Sequence, residues 1–92
     1  MKQAHIIVTG FVQGVGYRKF VRHESRKMGL TGWVRNLTDG TVEALVVGEE
    51  NEIEKLIELC KKGPFLSQVD NVHVEWEEAE KSFEEFIVRH DQ

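Results

Sequence analysis

Residues able to do chemistry concentrate in two short stretches of the chain. In the first, Val8-Thr9-Gly10-Phe11-Val12-Gln13-Gly14-Val15-Gly16-Tyr17-Arg18, an apolar run breaks into a glycine-spaced loop that ends on an arginine. Glycines let backbone N–H groups turn inward and approach a ligand closely. A helix starting where the loop ends adds unpaired N–H donors and the positive end of a dipole. Arg18 adds a planar fork of donors that matches phosphate oxygens. Gln13, Gly14, Val15, Gly16, Tyr17 and Arg18 together describe a cradle for phosphate or a similar small anion.

The second stretch is Gly32-Trp33-Val34-Arg35-Asn36-Leu37-Thr38-Asp39-Gly40-Thr41-Val42-Glu43. It reads as a hairpin whose turn is Thr38-Asp39-Gly40. On residue type alone, Asn36 is first a turn-stabilising amide. Neither stretch carries a His, and the only Glu, Glu43, lies past the turn.

These stretches need elements to hold them. His5 to Val12 is rich in β-formers and reads as a first strand. From Tyr17 or Arg18 to Met28, an apolar face of Tyr17, Val21, Ser25 and Met28, with Phe20 beside it, gives a helix that Gly29 ends. Leu30–Leu37 and Thr41–Val47 are the second and third strands. Ile53, Leu56, Ile57 and Cys60 repeat at helical spacing, behind the acidic cluster Glu49-Glu50-Asn51-Glu52 and ahead of Lys61, Lys62 and Gly63-Pro64. Val72, Val74 and Trp76 alternate as a fourth strand, and Phe83–Val88 is a short fifth. The order β-α-β-β-α-β plus a trailing strand is that of an α+β, ferredoxin-like sandwich: an antiparallel sheet with two helices on one face. Residues 1–92 read as a single domain.

Bulk composition narrows the classes. With 40% hydrophobic and 30% charged residues the chain supports a core. The lone Cys60 excludes an intramolecular disulfide or a cysteine-built zinc site and reads as core. His5, His23, His73 and His90 lack metal-ligand spacing and read as structural or solvated; Trp33 and Trp76 read as core or edge packing. No apolar run approaches the roughly 18 residues of a membrane helix. Met1-Lys2-Gln3-Ala4-His5 runs straight into strand-like sequence, so no signal peptide is expected, and a reducing cytoplasmic compartment fits. The net charge of −4 is uneven: residues 1–38 hold seven bases and one acid, and residues 39–92 hold five bases and fifteen acids. Positive charge around the glycine loop suits an anionic ligand, while overall acidity argues against a nucleic-acid partner.

Both stretches resemble the signatures of the acylphosphatase family. Val8-x-Gly10-x-Val12-Gln13-Gly14-Val15-x-aromatic-Arg18 is similar to the family's loop, and Gly32-Trp33-Val34-Arg35-Asn36, with Gly40, Val42 and Gly48, to its hairpin. Tyr17 stands where the family usually shows Phe, and Phe11 where bacterial relatives often show Arg. The resemblance implies hydrolysis of acyl phosphates to a carboxylate and inorganic phosphate, without metal, cofactor or covalent phosphoenzyme. It implies that Arg18 binds the phosphate with the loop amides, and that Asn36 positions the attacking water. Phosphate or sulfate would compete with substrate, and the protein would act as a monomer. The rival reading is a non-catalytic anion-binding module on the same fold. An RNA-binding version of the fold would stack bases on sheet aromatics, and the third strand has none.

Overall fold

The computed structural model describes residues 1–91. The chain forms β1 (Lys2–Phe11), α1 (Tyr17–Lys27), β2 (Thr31–Asn36), β3 (Val42–Gly48), α2 (Glu50–Lys62), β4 (Gln68–Glu78) and β5 (Phe86–Val88). The five strands make one sheet in the order β4-β1-β3-β2-β5. Two helices on that sheet give the expected ferredoxin-like architecture. One feature departs from the expected pairing: β5 runs parallel to β2, so the sheet is mixed. Chain path explains this. Residues 79–85 carry the chain from the β4 edge to the opposite edge, and β5 then runs back against β4's direction, which is that of β2.

Period-two alternation sets the two faces. Ala4, Ile6 and Val8 of β1, Val34 of β2 and Val42, Ala44 and Val46 of β3 are buried beneath the helices. The helices contribute Tyr17, Val21 and Ser25 from α1, and Ile53, Leu56, Ile57 and Cys60 from α2. Ser25 is wholly buried, and its hydroxyl has no partner among the described residues. Burial pushes the Cys60 thiol up to about 11, which keeps it protonated and inert at neutral pH.

Element bounds moved where a partner strand extended or shortened them. β1 pairs from Lys2 onward because β3 and β4 flank it on both sides. β4 is longer than its Val-Val-Trp alternation because it follows β1 from Glu78 to Gln68. β5 keeps only three residues, all opposite β2. Edge position leaves Trp76 of β4 43% exposed.

At the end of α2, the carbonyl of Cys60 would ordinarily accept from the N–H four residues on, but that residue is Pro64. The Tyr17 hydroxyl supplies the donor instead, at 2.7 Å in the buried core. The hydroxyl that sets Tyr17 apart from phenylalanine thus links the start of α1 to the end of α2. Burial also raises the Tyr17 pKa far above its ordinary value.

Candidate active site

The loop between β1 and α1 turns on Gly14 and Gly16, at φ of 75° and 80°. These are left-handed conformations that side chains disfavour. Gly16 is also the N-cap of α1, which has no side-chain cap and no acidic residue in its first turn. The contrast with α2 is direct, since α2 opens with Glu50 and Glu52. Among the described residues, the N–H groups of Gly14, Val15 and Gly16 donate to no backbone carbonyl. A helix start in this condition presents N–H donors and a positive dipole end that an anion can satisfy.

The hairpin is brought against this loop by Gln13. Its carboxamide donates to the carbonyls of Leu37 and Thr41, both at 2.8 Å. Within the turn, Gly40 N–H donates to Leu37 O, and Asp39 accepts from both the N–H and the hydroxyl of Thr41. The Thr41 hydroxyl first, then its N–H, holds the Asp39 carboxyl below the usual range. Asn36 is the last residue of β2, opposite Val42 of β3. Strand alternation puts it on the Val34 side of the sheet, facing the helix layer. Its Oδ1 is buried and has no hydrogen-bond partner among the described residues.

Arg18 and Asn36 face one depression of about 300 Å³, with Leu37, Thr38, Arg89 and His90 around them. On the other side of Arg18 lies a second lobe of about 290 Å³, built on Gly14, Gly16 and Tyr17 and bordered by Lys19, Arg22, Val88 and His90. The Arg18 guanidinium stands between the lobes, 3.3 Å from His90 Nδ1. All the expected site residues therefore fall at one end of the sheet. His90, expected to be structural or solvated, is exposed and stands at the junction of the two lobes. No local pattern marks it; it arrives there because β5 lies beside β2 and ends near Arg18.

The open face of the sheet carries a separate network. Glu43 of β3 accepts from Arg35 Nε of β2 and meets His5 Nε2 of β1, each at 2.7 Å. Burial pushes the Glu43 carboxyl up, but these two partners outweigh it and hold it below the usual range. Trp33, expected in the core or at an edge, lies on this face with the guanidinium carbons of Arg35 and Arg89 5.1 and 4.6 Å from its ring centre. Arg89 in turn pairs with Asp91. Among the described residues, no three His, Cys, Asp or Glu side chains converge as a metal site would require.

Comparison with known proteins identifies the family. The Acylphosphatase family model matches residues 4–88. An acylphosphatase of Pelotomaculum thermopropionicum is 44% identical over 94% of each chain. One of Caldivirga maquilingensis is 48% identical over 97% of this chain and 95% of its own. The crystal structure of acylphosphatase from Bacillus subtilis superposes with a TM-score of 0.94 at 40% identity, covering 97% of this chain and 99% of that one. With sequence and fold in agreement over nearly its whole length, the chain belongs to the acylphosphatase family, enzymes that hydrolyse acyl phosphates.

Proposed function

We propose that hydrolysis takes place in this two-lobed depression by direct attack of water on phosphorus. Arg18 and the N–H groups of residues 13–18 hold the phosphoryl oxygens, and the Asn36 carbonyl orients the water. One observation carries the reading: Asn36 lines the lobe that Arg18 also lines, and its Oδ1 is a buried acceptor without a hydrogen-bond partner among the described residues. A buried acceptor without a donor is costly, and a water molecule is the smallest group that satisfies it.

The chemistry asks little more. An acyl phosphate already has a good leaving group. Its phosphoryl group passes through a loose transition state with charge spread over the equatorial oxygens. Fixed N–H donors and a guanidinium stabilise that charge, and removing one such donor from a comparable site costs about 3–4 kcal/mol. As the water oxygen bonds to phosphorus, the bond from phosphorus to the acyl oxygen breaks and a carboxylate departs with its electron pair. The water proton stays with the phosphate product or passes to solvent. A neutral carboxamide aims the water without repelling the substrate.

The test is turnover of benzoyl phosphate. Asn36→Ala is expected to lower kcat roughly a hundred- to a thousandfold, while inorganic phosphate still inhibits as in the parent. Arg18→Lys is expected to lose activity and phosphate inhibition together, because a point charge does not replace a planar fork. An unchanged kcat in either variant removes that residue from the mechanism.

A further inference from the structure

The turn between α2 and β4 carries side chains that turns seldom show. The Ser67 N–H and hydroxyl both donate to the Pro64 carbonyl, at 3.0 and 2.7 Å, which makes Phe65 and Leu66 the central residues of the turn. Such positions ordinarily hold Gly, Asn, Asp or Ser. Neither side chain folds back onto the core: Phe65 is 98% exposed and Leu66 67%. Phe11, also exposed, ends β1 opposite Gln68, just beyond the turn. Apolar side chains scattered singly over a surface need no explanation. An apolar doublet at the apex of a closed turn, with a phenylalanine on the adjoining strand end, is a contact surface.

Charge around the turn says what it meets. Lys61 and Lys62 end α2 just before it, and α1 begins alongside, where the Tyr17 hydroxyl reaches the Cys60 carbonyl. Arg18, Lys19 and Arg22 therefore belong to the same end of the molecule. These three and Lys62 form no ion pair with a carboxylate among the described residues. Of the acids near them, Glu58 is paired with Lys61 and Asp91 with Arg89, which leaves Asp39 and Asp70. The opposite end has the reverse sign: Glu50 and Glu52 open α2, and Glu77 and Glu78 close β4. The exposed apolar side chains and the surplus of cations thus share one end of the sheet. A projecting doublet offers no concavity for a partner's side chain, but a fluid interface can close around it. Lipid headgroups form such an interface, and anionic ones draw Lys and Arg toward it.

We infer that this end docks on anionic lipid bilayers, with Phe65 and Leu66 entering the headgroup region and Lys62 and the cations of α1 facing the lipid phosphates. Two side chains and a few charges give weak, reversible attachment, with the protein lying on the bilayer and not crossing it.

The experiment is sedimentation of the full chain with vesicles at low ionic strength. One set holds equal parts of phosphatidylglycerol and phosphatidylcholine, the other phosphatidylcholine alone. The protein is expected to sediment with the anionic set and to be released as salt is raised to molar levels, where screening reaches about 3 Å. Phe65→Ser/Leu66→Ser should lower the partition coefficient at least about tenfold. Its urea midpoint and its turnover of benzoyl phosphate in solution should match the parent's. Lys62→Gln should lower the coefficient about fivefold. Phe65→Trp keeps the turn apolar, and brominated lipid chains should quench its fluorescence more than the parent's. No sedimentation of the parent with anionic vesicles overturns the inference. So does binding that the serine variant keeps, since charge alone then suffices, and so does a lack of extra quenching in Phe65→Trp. Self-association of the parent without lipid, lost in the serine variant, also overturns it and assigns the turn to a second copy of the chain.

Discussion

The Gln13 carboxamide shows how much a single side chain can hold in place. Residue type placed Gln13 in the cradle through its main chain, and its spacing to the glycines was visible from the start. Its side chain instead bonds two carbonyls of the opposite hairpin, a link that only the folded register reveals. Leu37 O and Thr41 O each already accept one backbone hydrogen bond, so neither is left bare when Gln13 is shortened. Gln13→Ala is therefore expected to cost only about 1 kcal/mol in urea unfolding. The cradle and Asn36 lose their common anchor, so kcat/KM for benzoyl phosphate should fall on the order of ten- to a hundredfold. A loss of stability without that loss of activity would show that the bridge does not register the site. His90 was hidden for the same reason: its neighbour in space, Arg18, is 72 positions away in sequence.

At the scale of elements, both helices and the hairpin were legible because each carries its own local signal. The i, i+3, i+4, i+7 stripe of α2 and the Asp39-Gly40 turn are examples. Strand pairing was less legible. The orientation of β5 depends on where residues 79–85 cross the sheet, and periodicity does not encode a crossing. The Tyr17 hydroxyl sits between these cases. Pro64 announces a missing donor at the end of α2, but only tertiary packing shows which group replaces it. Tyr17→Phe leaves the buried Cys60 carbonyl unpaired, which is expected to destabilise by about 1–3 kcal/mol. The ring is retained, so thermal unfolding should shift while KM for benzoyl phosphate stays near that of the parent.

Across the whole molecule, β1, β2 and β3 are tied together on the open face through Glu43. Its folded pKa is depressed, so its contribution is complete above the unfolded carboxylate value of about 4.3 and vanishes as pH falls through the folded one. The difference in unfolding free energy between the parent and Glu43→Gln should be fully developed at about pH 5 and close in more acidic solution. Urea titrations across that range measure it, and a gap that persists well below the carboxylate range would mean that the ion pairs contribute nothing. Opposite ends of the sheet differ in what they tolerate. Met1 lies at the start of β1, beside Ala79, whereas His90 stands against Arg18. A bulky reporter group attached at His90 would crowd the entrance beside Arg18, so a label for kinetic work belongs at the opposite end, near the Lys2–Glu78 pair.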